Sequence, residues 1–226
     1  MRENSLLKTL LTNTGDSIME DKLQEVNEQA AANASEALSK LIDRQVEVEI
    51  SKTEVKRVED LGPLIGPEEM VAGIYLPVTG DINGAALLIL PKETAFVLSD
   101  LLVEREPGTT HKLTELDKSA LKEVGNIISG NYLAILANVL QIKVIEHIPN
   151  FSCDMFGAIA SQIITDFAQN TERALVIEVE FTFKLETLKG YFLLLFEVEQ
   201  FEAILGSLAG AAGGGGLKTS WGFFSE

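Results

Sequence analysis

Ser119, Glu123 and Asn126 stand at steps of four and three residues within ELDKSALKEVGNIISGNYLAIL, and Pro149 follows with twenty-two residues between it and the asparagine. On a helix turning about 100° per residue, Ser119, Glu123, Asn126 and Gly130 share an arc of roughly 60°. Leu121, Val124, Ile128, Tyr132, Ile135 and Val139 fall on the opposite side. The spacing predicts a helix that buries its apolar side and presents one narrow polar stripe to solvent. A carboxylate and a carboxamide one turn apart on such a stripe can grip a partner and position a water molecule. Gly130 and Ser119 are small enough to let a partner surface approach, and Pro149 is placed to fix the bend after the adjoining strand.

The elements that must hold this stripe occur twice. Shifted by 98 positions, DKLQEVNEQAAANASEALSKLIDRQVEVEIS lies over SALKEVGNIISGNYLAILANVLQIKVIEHIP, pairing Leu23 with Leu121, Glu25 with Glu123 and Val26 with Val124. Each helix leads to a short β-prone run and then to two alternating strands, AGIYLPVTGDINGAALLIL in the first half and ALVIEVEFTFKLETLKGYFLLLF in the second. The hairpins need a shift of about 106, which places an insertion around residues 150 to 172. A closing helix is expected in each half, over PKETAFVLSDLLV and EVEQFEAILGSL. The fold class is α+β in layers: a pseudo-twofold duplication of a helix-strand-hairpin-helix unit, with long helices packed on a β-sheet. One domain is expected over residues 1–208, with repeats at about 18–102 and 115–208 and a Gly-rich tail at 209–226. Asp16 is the expected cap of the first helix, and Thr114 or Asp117 that of the second. TGDING suits a tight hairpin, and Lys189-Gly190 marks a weaker equivalent.

Composition narrows the function classes. The 226 residues are 46% hydrophobic, enough for a sizeable core, and 34 acidic against 18 basic side chains give a formal charge of −16. That charge disfavours nucleic acid and is read first as a solubility property. Cys153 is the only cysteine, so no disulfide framework forms within the chain. It lacks an activating partner in the sequence and is read as a buried, inert thiol. No apolar run of about 18 residues suggests membrane insertion, and a cytoplasmic location is expected. His111 and His147 are too isolated to propose a metal site, and no cofactor is expected on this chain.

The residues resemble a known family, the CheC/CheX/FliY phosphatases of prokaryotic chemotaxis. Its motif is Asp or Ser, three residues, Glu, two residues, Asn, twenty-two residues, Pro, and Ser119, Glu123, Asn126 and Pro149 meet each interval. SALKEVGNIISGNYLAIL and LPVTGDINGAALLIL look like CheC in particular. The resemblance implies hydrolysis of the aspartyl phosphate of a CheY-type response regulator. Asn126 would orient the attacking water and Glu123 would pair with a lysine of the regulator, with Ser119, Gly130 and Pro149 supporting the site. It also implies that Mg2+ travels with the response regulator. An alternative function is an adaptor of little or no catalytic activity that binds the receptor deamidase CheD or a component of the motility switch.

The first half departs from the motif. Its stripe is Asp21, Glu25, Glu28 and Ala32, with Ser51 at the proline position and NEQAAA where the family carries a Gly-rich GNIGAG. An ionised Glu28 donates no hydrogen bond and would face phosphoryl oxygens with like charge, so one working site is expected, in the second half. The tail ends in Trp221-Gly-Phe-Phe224, which resembles a Trp-x-x-Phe tether on a glycine leash, although packing onto the body or disorder is the preferred reading.

Overall fold

The computed structural model describes residues 15–61, 65–167, 173–183 and 186–196. The helix expected over EVEQFEAILGSL and the tail with Trp221 and Phe224 lie outside the described residues. Helix α1 (Gly15–Ile42) is followed by β1 (Glu47–Arg57), a 3-10 turn (Val58–Asp60), β2 (Met70–Gly80), β3 (Gly84–Pro91) and α2 (Lys92–Leu102). Helix α3 (Glu115–Leu140) is followed by β4 (Val144–Glu146), β5 (Asn150–Met155), α4 (Phe156–Phe167), β6 (Arg173–Phe183) and β7 (Glu186–Phe196). Asp16 lies inside α1, so it is not the capping residue expected.

The strands form one antiparallel sheet in the order β1-β6-β7-β3-β2-β4, with β5 also on β2. Because side chains alternate along a strand, each central strand feeds two cores. Ala86, Leu88 and Leu90 of β3 face the core under α1, α2 and α3, whereas Ala85, Leu87 and Ile89 face the core under α4. Burial on both faces explains why GAALLILP reads as a continuous apolar run. Helix α1 buries Val26, Ala30, Ala34, Leu38 and Ile42, a four-residue step that makes one narrow seam, and α3 buries Leu121, Val124, Ile128, Tyr132 and Ile135. The expected insertion contains β5 and α4. Phe156, Ile159, Ala160 and Ile163 of α4 cover the side of the sheet that the long helices leave open.

The halves are interlaced. The hairpins meet through β3 and β7, where Leu87 pairs with Leu193. Strand β1 pairs with β6 of the second half, while β4 and β5 pair with β2 of the first. Each half thus lends the strand after its long helix to the other half's hairpin.

Both turn expectations need correction. The first hairpin closes at Val78 and Gly84 rather than at a tight Asn-Gly turn, because Thr79 and Gly80 are drawn into pairing with β4. Gly80 has φ +128°, a conformation that favours glycine. Lys189-Gly190 is no turn: both lie within β7, opposite Glu180 and Val179, and the hairpin closes at Phe183 and Glu186.

Candidate active site on helix α3

Helix α3 is fixed at its start by a network wider than a simple cap. Thr114 is the N-cap: its side chain accepts from Asp117 N–H at 3.4 Å, while Asp117 Oδ2 accepts from Thr114 N–H at 2.7 Å. This reciprocal pair satisfies two of the donors that a helix start leaves open. Asp117 is fully buried and bonded to Arg105, whose Nε lies 3.6 Å from the equally buried Asp100. Asp100 also accepts from Thr109 and Thr110, with Thr110 Oγ1 at 2.5 Å. Burial pushes the Asp100 carboxyl up, but the bonds from Thr110 and Thr109 outweigh it and hold the group below the usual range. The 103–113 connector is therefore a clamp on the start of helix α3.

Further along, α3 is pressed onto the sheet. A Cβ at Gly125 would stand 2.5 Å from Ile74 Cγ2 of β2, so only glycine permits this approach directly before Asn126. About two turns beyond Gly125, Tyr132 donates from its hydroxyl to Asn27 Oδ1 of α1 at 3.0 Å, and Asn27 donates to Thr53 Oγ1 at 3.0 Å. The buried Tyr132 ring meets Phe192 edge to face, 5.5 Å between centroids. Packing on one side and this polar chain on the other fix the rotation of α3 and hence where its stripe points.

The stripe faces outward. Glu123 is exposed, Asn126 is half-buried, and Asn126 Nδ2 donates to Glu123 Oε2 at 3.3 Å. Among the described residues nothing donates to Asn126 Oδ1, which remains an acceptor for solvent. Ser119 and Pro149 come together in a groove of about 500 Å³ between the first turns of α3 and strand β5. Glu123 and Asn126 continue the stripe beyond the lining of that groove.

Pro149 sits at a β-bulge. Val78 pairs with Glu146 and Tyr75 with Asn150, so His147, Ile148 and Pro149 oppose only Leu76 and Pro77 of β2. Pro77 and Pro149 both lack the N–H that regular pairing would use, which favours the break here. The bulge turns Ile148 out to 84% exposure. In β1 the register slips between Ile50 and Lys52, at Ser51, the residue that the 98-residue shift equates with Pro149.

The space over Gly130 is not open to a partner in the way its size suggests. A Cβ there would lie 3.2 Å from Glu146 Oε2, so the molecule's own carboxylate uses the room. Burial pushes the Glu146 carboxyl up, with Ser129 pulling it back only in part. Ser129 Oγ and Glu146 Oε1 are buried without a well-aligned hydrogen-bond partner among the described residues. The sequence offered one signal for this pair: the shift equates Glu146 with Val48 and Gly130 with Ala32, a larger polar residue set against a smaller one.

On α1, Asp21, Glu25 and Glu28 are all exposed. Lys22 bonds Glu25 at 3.3 Å and Gln24 donates to Glu28 at 2.8 Å, so both carboxylates are engaged within their own helix. Cys153 is exposed on β5, contrary to the buried thiol expected, because among the described residues β5 is an edge strand paired with β2 alone. Partial burial of its sulfur and the neighbouring Asp154 push the thiol up, which leaves it a weak nucleophile. His111 is exposed, and His147 Nε2 lies 2.8 Å from Thr79 Oγ1. Among the described residues no group of three or more His, Cys, Asp or Glu is placed to hold a metal ion, and no helix is long and apolar enough to cross a membrane.

Comparison with known proteins converges on this helix. The CheC-like family pattern matches residues 116–149, from the first turn of α3 to the bulge proline. The chain is 28% identical over 193 residues to the CheY-P phosphatase CheC of Bacillus subtilis, covering 83% of this chain and 92% of that protein. It is 33% identical over 125 residues to a CheC1 protein of Halobacterium salinarum, covering 53% of this chain and 62% of that one. The fold is that of Thermotoga maritima FliY, with a TM-score of 0.70 at 19% identity over 84% of this chain and 95% of the FliY chain. Stripe, bulge and duplicated sheet agree with these matches, and the chain is similar to the CheC-like proteins in sequence and to FliY in fold.

Proposed function

We infer that this protein is a phosphatase that hastens hydrolysis of the aspartyl phosphate on a CheY-type response regulator, with one working site, on α3. The observation that carries the reading is the orientation of Asn126: its amide nitrogen donates to Glu123, which leaves Oδ1 turned to solvent as an acceptor. A water donating one proton to Oδ1 keeps a lone pair free for phosphorus. As it attacks in line, the bond from phosphorus to the regulator's carboxylate oxygen breaks, yielding free aspartate and inorganic phosphate. A neutral amide serves where a carboxylate would repel the phosphoryl oxygens. Phosphoryl transfer needs mainly positioning and charge stabilisation, so holding the water accounts for a factor of about 10² to 10³, or about 3–4 kcal/mol. Mg2+ belongs to the phosphorylated substrate.

Glu123 takes two parts in this reading. One oxygen steadies the amide and the other meets a lysine of the regulator, which sets the distance between Asn126 and the phosphoryl group. The protein is placed in the cytoplasm, where response regulators act. The test is the decay of a phosphorylated CheY-type regulator with and without the protein. Acceleration that disappears in Asn126→Ala supports the reading; no acceleration by the unmutated chain, or acceleration indifferent to that change, rejects it.

A further inference from the structure

The stripe on α3 has a cationic flank. At about 100° per residue, Lys118, Lys122 and Asn126 follow at steps of about 40°, with Glu123 about 60° further round. Lys122 and Asn126, four residues apart, are neighbours on the helix surface at about 5–6 Å between Cβ atoms. Asn126 therefore lies between a positive flank and a negative one. Both lysines line the groove of about 500 Å³ that also holds Ser119, Asn150 and Ser152. Lys118 is paired at 2.6 Å with Glu115, which is 90% exposed, and Lys122 makes no ion pair among the described residues. Past Lys118 the surface runs into an apolar hollow of about 370 Å³ edged by Lys92, His111 and Lys112.

Such a gathering of lysines is out of keeping with a chain of charge −16. The first half lacks it: the shift of 98 replaces Lys118 with Glu20 and Lys122 with Gln24. The half that keeps the asparagine thus keeps the cations, and the half that holds Glu28 holds none at those places. A phosphorylated, carboxylate-bearing partner would be repelled by most of this molecule at long range, and beyond about 8–10 Å salt screens that repulsion. Near contact, the local sign decides where it docks.

We propose that Lys118 and Lys122 form a docking groove for a carboxylate-rich patch on the phosphorylated partner, so that the partner is read by two charges, lysines on one flank of Asn126 and Glu123 on the other. This rests on the phosphatase reading above for the identity of the partner, and its test is binding rather than turnover. The full chain is titrated with a CheY-type regulator carrying beryllofluoride, a phosphoryl mimic that is not hydrolysed, at low and high salt. Lys118→Glu with Lys122→Glu weakens binding at low salt by about 10–30-fold and flattens its salt dependence. Lys118→Gln with Lys122→Gln weakens it by about 3–10-fold, while Lys40→Glu on α1 stays within about 2-fold. Unchanged binding in both lysine pairs, an equal loss in Lys40→Glu, or no binding by the unmutated chain overturns the proposal. Lysine-dependent binding without turnover would reject the phosphatase reading alone; turnover that needs Asn126, with binding indifferent to the lysines, would reject the docking groove alone.

Discussion

Asn27 and Gly125, 98 residues apart, occupy matching places on α1 and α3 and meet opposite requirements. Asn27 fills its place with an amide that links Tyr132 of α3 to Thr53 of β1. Gly125 empties its place so that Ile74 can come against the helix. One residue further, Glu28 and Asn126 differ in charge and in the ability to donate. The backbone has diverged much less: a bulge falls at Ser51 in β1 and at Pro149 between β4 and β5. Since Ser51 is compatible with the same irregularity, proline is not needed to create it. Chemistry and scaffold have separated, with the duplicated frame retained and the side chains that could serve hydrolysis kept on one copy.

The largest expected difference between the halves is catalytic. Asn126→Ala, or Asn126→Glu in imitation of Glu28, removes acceleration of regulator dephosphorylation by about 10²- to 10³-fold, whereas Glu28→Ala leaves it within about 2-fold. Comparable losses from both positions in a phosphate-release assay would mean that α1 also works. Stability separates Asn27 from Gly125 next. Asn27→Ala and Gly125→Ala each cost about 1–3 kcal/mol in urea unfolding, one by stranding the Tyr132 hydroxyl and the other by overpacking against Ile74. Tyr132→Phe recovers part of the first loss and none of the second, and equal rescue would break the distinction. Thr114→Ala lowers stability by about 1 kcal/mol through loss of the cap.

The smallest effect concerns Glu146, the counterpart of Val48. Burial raises its carboxyl in the folded protein above the ordinary 4.5, so the folded state holds this proton more tightly than the unfolded chain does. Its contribution is favourable below about 4.5 and is lost as pH rises through the folded value. Glu146→Gln therefore gains stability relative to the unmutated protein as pH climbs through that window, and the gain levels off above it. A difference in unfolding free energy that is flat from pH 4 to 8 would show that the carboxylate is solvated.

The stripe on α3, its apolar back and a cap at Thr114 or Asp117 were legible because they depend on spacings within one helix. The alternating runs likewise announced the two hairpins. Other features depended on which strands meet, which local pattern does not encode. Gly190 looks like a turn residue until β7 is seen to need a close approach there: a Cβ would stand 3.0 Å from Leu90 Cδ2. Asn83-Gly84 looks like a tight turn until β4 claims Thr79 and Gly80. Cys153 reads as a core residue by type and is exposed because its strand is an edge. At the site, Glu123 and Asn126 were readable from their interval, while the use of Gly130 by Glu146 required knowing that β4 returns beside α3.

The exchange of strands between the two halves has an evolutionary consequence. A copy without the asparagine would ordinarily be free to erode or be lost. Here β1, from the half that carries Glu28, forms the flank of the sheet beside β6, while β4 and β5, from the half that carries Asn126, complete the other flank beside β2. The half that carries Glu28 is thereby indispensable as architecture, and its exposed helix face, with Asp21, Glu25 and Glu28, stands outside that structural duty.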